Sequence, residues 1–237
     1  MTTETTTPIG RRVVLGLVGL GALGIALGST IQGALEGAIG AVANRDPTGL
    51  TGLIPAGGGF RFYSVTGTVP AVSDADYRLS VAGLVERPLE LSYADLQALP
   101  QVEITRDFQC VTGWRVPDVL WRGTLLRDVL DAAGVASTAT ALRLLSFDGT
   151  YTESLTLEQA RRDDVVVATQ MLGAPVTPNH GGPVRLFVAP MYGYKSLKWL
   201  GGIELTADVE PGYWEVRGYD VDAWVGGSNG REDTPTS

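Results

Sequence analysis

The sequence predicts an α+β fold of mainly antiparallel or mixed β-sheets with short helices. Segments with strand periodicity outnumber helical ones, the helical patterns are short, and no regular βαβ alternation runs along the chain. A chain of 237 residues, 44% hydrophobic and 19% charged, can bury a substantial core. Asp and Glu number 26 against 18 Lys and Arg, a formal net charge of −8. A surface dominated by positive potential is therefore not expected, and nucleic acid is set aside as a partner.

Residues 1–46 differ in kind from the rest. A polar leader, the pair Arg11 and Arg12, and an apolar run from Val13 to Leu27 read as an export signal of twin-arginine type, with Ala41-Val42-Ala43 as a cleavage site. Extended to Ala43, the same run reads instead as an uncleaved N-terminal membrane anchor. Gly19, Gly21 and Gly24 also match the G-x-G-x-x-G of dinucleotide-binding turns, with Asp46 near the place of a ribose-binding acid. Gly24, Gly28, Gly33, Gly37 and Gly40 each cost ~1 kcal/mol in a helix, which disfavours the packing helix that this reading needs. One domain over residues 47–225 is expected, followed by a disordered polar tail over 226–237.

Within the domain, Tyr77, Leu79 and Val81 alternate with Arg78 and Ser80 as in a half-buried strand. Ser92 and Asp95 form a capping-box pattern that opens a short helix ended by Pro100. In VEITRDFQC, Val102, Ile104, Phe108 and Cys110 share one face, which puts Cys110 inward at a strand end. Leu126, Val129, Leu130 and Ala133 repeat at helical spacing before Gly134. ALRLLSF is a strand, Asp148-Gly149 a tight turn, and Thr156 with Gln159 a second capping box before another short helix. VVVATQ and VRLFVA are continuous apolar runs that belong in the interior.

Cys110 is the only cysteine. It cannot close an internal disulfide, and with a single histidine it falls short of a four-ligand zinc site unless carboxylates or a second chain contribute. An unpaired thiol is commonly a small core hydrophobe. Here the chain beyond it, Thr112 to Pro117, has loop chemistry, so the thiol stands where a strand feeds a loop and ligands often bind. His180 lies in a Pro/Gly loop and Arg185 in an apolar strand. A guanidinium there needs an anionic partner, a protein carboxylate or a ligand phosphate, or carries a large desolvation penalty. Lys195 and Lys198 flank Ser196 between glycines, where backbone N–H groups, a hydroxyl and ammonium groups suit a phosphate. Together these segments suggest a site for a phosphorylated, metal-bearing cofactor.

FRFYSVTG, FQCVTGWRVPDVLWRG, HGGPVR and YGYKSLKWLGGIEL resemble, in that order, segments of the sulfite-oxidase-like molybdopterin oxidoreductases. The resemblance is strongest to the exported bacterial branch that contains the catalytic subunit of periplasmic methionine-sulfoxide reductase, and it runs from Phe60 to Trp224. It implies the sulfite-oxidase molybdopterin-binding fold and a molybdenum ion bound by the dithiolene sulfurs of one molybdopterin, by oxo or hydroxo groups and by one cysteine thiolate. A soft thiolate suits such a metal, and one protein sulfur is enough because the pterin brings the others. On that resemblance Cys110 is the metal ligand, while Tyr63, Ser64, Ser146, His180 and Arg185 contact the cofactor. Gly193, Tyr194 and Lys195 hold its phosphate. Arg115 matches a substrate-side catalytic arginine, and Tyr213 falls near the family's active-site tyrosine. Histidine at position 180 is the sulfite-oxidase residue, where the reductase branch carries Asn.

The implied activity is two-electron oxygen-atom transfer, with reduction of a sulfoxide-type substrate outside the cytoplasm expected. A sulfite-oxidase-type dehydrogenase and a cofactor-free binding module on the same fold are the alternatives. One histidine cannot supply bis-His ligation and no haem domain precedes the core, so no haem is expected in this chain. Electrons would then pass through a separate protein, for which a membrane cytochrome is one form. The C-terminal dimerisation domain of eukaryotic sulfite oxidases has no counterpart, and a monomer is expected.

Overall fold

The computed structural model describes residues 60, 61 and 63–227. The export-signal or anchor segment, the dinucleotide-like glycines and nearly all of the proposed tail lie outside the described residues. Among the described residues no helix is long and apolar enough to cross a membrane.

In chain order the elements are β1 (Arg78–Gly83), β2 (Leu89–Ser92), α1 (Tyr93–Ala98), β3 (Gln101–Gln109), β4 (Arg115–Leu125), α2 (Leu126–Ala133), β5 (Ala141–Ser146), β6 (Thr152–Thr156), α3 (Leu157–Ala160), β7 (Val165–Met171), β8 (Ala174–Pro175), β9 (Arg185–Val188) and β10 (Leu200–Thr206). One sheet runs β2-β1-β10-β5-β6. In it β1 is parallel to β10 and the other pairs are antiparallel. The second runs β3-β4-β7-β8, with β9 also on β7, and is antiparallel throughout. The fold is thus α+β with one mixed and one antiparallel sheet, as the sequence predicts.

The local signals act where the sequence puts them. Both capping boxes form: Ser92 with Asp95 opens α1, and Thr156 with Gln159 opens α3. Helix α2 buries Leu126, Val129, Leu130 and Ala133 and stops at Gly134, whose φ of 70° a side chain would resist. Strand β7 reads as an unbroken apolar run because it has a core on each face. Val165 and Val167 pack with Leu142, Leu144 and Ile203 on one side, while Val166 and Ala168 pack with Trp121 and Phe187 on the other.

Two expectations are corrected. The loop after Cys110 is confined to residues 110–114, because β4 resumes at Arg115 and is the longest strand. Pro117 and Asp118 fall where the β3–β4 register slips, between the pairs Arg106–Val119 and Phe108–Val116. Asp118 sits there at φ 52°, its N–H bonded to Asp107 Oδ1 at 2.9 Å. A proline, which lacks a ladder donor, is tolerated at such a bulge. The same slip breaks the alternation of β3, so that Phe108 and Gln109 are both buried and Cys110 is only half-buried rather than fully inward.

Candidate functional site

The turn joining β3 to β4 fixes the thiol. Cys110 N–H donates to the Trp114 carbonyl at 2.9 Å, and Gly113 N–H returns a bond to the Cys110 carbonyl at 3.0 Å. Gly113 adopts φ 90°, a conformation that favours glycine. Cys110 Sγ lies 3.2 Å from Thr112 Oγ1 and faces a cavity of about 520 Å³. Segments far apart in sequence close this cavity: Phe60, Arg61 and residues 63–65, the β3–β4 turn, Tyr151, His180, Arg185, Gly193 and Tyr194, Ser196, Lys198 and Trp199, and Trp214 with Tyr219.

Three cations line it, the exposed Arg61 and two that lie deeper, Arg185 and Lys198. Arg185 comes from β9 and is 1% exposed. Its Nη1 donates to the His180 carbonyl at 2.6 Å and its Nη2 to the Ser196 carbonyl at 3.0 Å. The guanidinium also lies over the rings of Phe108 and Trp121, at 5.7 and 5.3 Å. Burial pulls its pKa down to about 9. Lys198 Nζ donates to the carbonyls of Tyr63 at 2.8 Å and Asn179 at 3.2 Å. Burial, and then the Arg185 charge, lowers its pKa to about 7. His180 is 8% exposed, and burial followed by the charges of Lys198 and Arg185 brings its pKa down to about 3, so it is neutral at physiological pH. Lys198, weakened by burial and by Arg185, regains its proton when an anion enters beside it.

Most of the residues named from the sequence come together. Tyr63, Ser64, Cys110, His180, Arg185, Gly193 and Tyr194 all line the cavity. Gly193 is required because a Cβ there would overlap the Phe108 ring. Tyr194 donates its hydroxyl to the Asp220 carbonyl at 2.6 Å. Four residues stand elsewhere, one of them Tyr213, which stacks on Tyr151 at 5.4 Å. Lys195 points into the interior, its ammonium bonded to Glu153 Oε1 at 2.9 Å and to Glu215 Oε1, all three side chains being buried. The lysine on the cavity is Lys198. Ser146 is buried and accepts a bond from the Asp148 N–H at 3.3 Å, away from the lining. Arg115 pairs on the surface with Asp107 at 3.1 Å and is 57% exposed.

The residues that the sequence did not disclose are mainly aromatic. Phe60 packs on Phe108 at 5.1 Å and on His180 at 5.3 Å, and Trp114 stacks on Phe108 at 5.6 Å. Trp214 contacts Tyr63 at 6.0 Å and Tyr219 at 5.3 Å. Trp199 is held at φ 55°, its Nε1 bonded to the Pro178 carbonyl at 2.8 Å. Non-glycine residues rarely take that backbone, and where they do they cluster at ligand sites. Aromatic residues at such spacings look like core in a sequence, which is why only Tyr63 and Tyr194 stood out.

The donor set suits a large anionic group bearing a soft metal. Among the described residues no cluster of three or more His, Cys, Asp or Glu could hold a metal ion. A metal at Cys110 would therefore draw its remaining ligands from a bound group, and Arg185 with Lys198 provides for that group's negative charge. A thiol on the β3–β4 turn, opening on a cationic and aromatic cavity, fits a cofactor-dependent oxidoreductase. The model of the oxidoreductase molybdopterin binding domain matches residues 66–214, and the chain belongs to that family. It is a molybdopterin-binding oxidoreductase of sulfite-oxidase-like type. It is 38% identical over 162 residues to the uncharacterized oxidoreductase YuiH of Bacillus subtilis (strain 168), covering 67% of this chain and 81% of that one. It is 29% identical over 190 residues to a sulfite oxidase of Arabidopsis thaliana, covering 65% and 48%. It is 28% identical over 156 residues to the protein-methionine-sulfoxide reductase catalytic subunit MsrP of Campylobacter jejuni, covering 59% and 52%. The chain thus spans about half the length of the latter two. The sulfane dehydrogenase SoxCD of Paracoccus pantotrophus shares the fold, at TM-score 0.56 and 24% identity over 60% of this chain and 41% of that one.

Proposed function

We propose that the chain is the catalytic subunit of an exported enzyme that reduces a sulfoxide-type substrate by oxygen-atom transfer, taking electrons from a separate redox protein. The observation that carries this is Cys110 Sγ on the same cavity as Arg185 and Lys198. When bound, molybdenum on molybdopterin supplies the two-electron oxygen-transfer chemistry. The chain's own residues hold and orient. Cys110 offers the thiolate, and Arg185, Lys198 and the close backbone approach at Gly193 receive the anionic end of the pterin. His180, neutral, can accept or donate one bond. Phe60, Trp114, Trp214 and Tyr219 give the cavity beside the thiol an apolar, aromatic wall. Tyr63, whose hydroxyl is raised in pKa by burial and then by Tyr213 and Tyr219, stays protonated and can donate to a substrate oxygen.

The likeness to MsrP and the arginine-pair leader over residues 1–46 support an extracytoplasmic reductase. His180 favours a second reading, a sulfite-oxidase-type dehydrogenase. Metal analysis of the wild type beside Cys110→Ser, followed by turnover with reduced viologen and methionine sulfoxide, separates these. Molybdenum in the wild type alone, with sulfoxide turnover, is the expected result. Molybdenum with turnover of sulfite only supports the second reading, and no molybdenum in the wild type leaves a cofactor-free binding module.

A further inference from the structure

The segment of residues 212–219 contributes Trp214 and Tyr219 to the cavity and belongs to no strand. A short 3-10 turn, Glu215–Arg217, is its only regular structure. What holds it is a buried charge cluster joining three parts of the fold. Glu153 comes from β6, Lys195 from the turn that carries Gly193 and Tyr194, and Glu215 from the segment itself; none of the three is more than 7% exposed. Glu215 collects three donors: the Lys195 ammonium, the Ser154 hydroxyl at 3.3 Å and the Gly212 N–H. Glu153 Oε1 accepts from Lys195 and from the Ser154 N–H at 3.0 Å, while its Oε2 is buried with no hydrogen-bond partner. One lysine against two carboxylates leaves a surplus negative charge in the interior unless one acid keeps its proton. Donors stabilise a charged carboxylate, and Glu153, with one oxygen lacking any donor, is the acid placed to keep the proton.

We infer that Lys195 and Glu215 are positioning residues, an ionic latch that holds the cavity wall of residues 212–219 against the turn at Gly193–Lys195. Burial and the Glu215 charge, against the opposing pull of Lys195, keep the Glu153 carboxyl well above the usual carboxylate range, in accord with the proton assigned to it. Three buried ionisable groups are costly where aliphatic side chains would pack, and here they tie together three separate parts of the fold.

The inference concerns the wall of the proposed cofactor site. Hydrogen–deuterium exchange on the full-length, cofactor-free chain tests it with Glu153→Gln, Glu215→Gln and Glu215→Asp. In Glu215→Gln the proton on Glu153 can leave to rebalance Lys195, so the chain folds. Exchange across 212–219 is expected to rise by tenfold or more (~10-fold) relative to β4 and β7. Glu215→Asp, one methylene short of Lys195, opens the segment to a lesser degree and serves if Glu215→Gln does not fold. Glu153→Gln mimics the protonated acid and leaves exchange at the wild-type rate. The latch is overturned if 212–219 exchanges as in the wild type in both Glu215 variants, if β4 and β7 rise by the same factor, or if Glu153→Gln opens the segment as widely as Glu215→Gln. No metal enters the measurement, so absence of molybdenum leaves the latch standing, and failure of the latch leaves the cofactor reading standing.

Discussion

Lys195 and Lys198, three positions apart on one turn, serve opposite sides of the structure. Lys195 Nζ lies 2.9 Å from Glu153 Oε1 in the interior, whereas Lys198 Nζ lies 2.8 Å from the Tyr63 carbonyl beside the cavity. The two should therefore fail differently. Lys195→Met removes one partner of a buried ionic cluster and is expected to cost ~3–5 kcal/mol in denaturant unfolding. Lys198→Met removes hydrogen bonds to the Tyr63 and Asn179 carbonyls and no buried carboxylate's partner, and is expected to cost less, ~1–2 kcal/mol, while molybdenum and pterin content falls by about tenfold or more, measured on the purified protein.

Anion binding to the free chain should weaken as pH rises. Lys198 has its pKa lowered from 10.5 to about 7, so above that pH the cavity loses an ammonium that an anion would favour. Binding then takes up a proton, and affinity falls by at most ~10-fold per pH unit. Sulfate, whose charge is fixed over this range, is the suitable probe in calorimetry, and Lys198→Met should flatten the profile.

His180 should contribute to acid lability. Its pKa is lowered from 6.5 to about 3, so on acidification the unfolded chain takes up this proton first and the native state gains none until near the lower value. Stability is lost across that window and restored as pH rises through it. Denaturation of His180→Gln measured at several pH values should show a shallower acid limb than the wild type.

Gly193→Ala should loosen both core and site. The added methyl would overlap the Phe108 ring, and overpacking of this kind costs ~1–3 kcal/mol. Phe108 also lines the cavity, so a drop in retained cofactor is expected beside the lowered denaturation midpoint.

Arg115→Ala should be nearly silent. The side chain is paired with Asp107 on the surface, where such pairs contribute ~0–1 kcal/mol. Turnover within about twofold of wild type is expected. A larger loss would give Arg115 a role that its position off the cavity does not explain.

Much of this was legible in the sequence, for reasons specific to each element. The capping boxes at Ser92 and Thr156 were readable because the chemistry of a helix start is local. Strands β7 and β9 were readable because a core on both faces makes a continuous apolar run. Strand β4 was not, because Gly113 in the turn before it and Pro117 near its start read as loop, although the bulge at Asp118 absorbs the proline. Strand β6 hides for another reason: TESLT looks polar, but Glu153 is paid for by a lysine forty-two residues on. The same long-range pairing concealed that Lys195 turns inward. Position along a loop does not reveal which of two nearby lysines finds a buried acid.

The parallel pairing of β1 with β10 sets the order in which the molecule can be assembled. While the polypeptide is being synthesised, β1 and β5 both lack the neighbour that will lie between them, since Leu200–Thr206 emerges close to the end of the domain. Long-range closures of this kind come late in folding. The thiol turn is therefore made well before Lys198, Trp214 and Tyr219 exist to enclose anything. A guest that depends on that enclosure can be held only once the segment through Tyr219 has been made and docked.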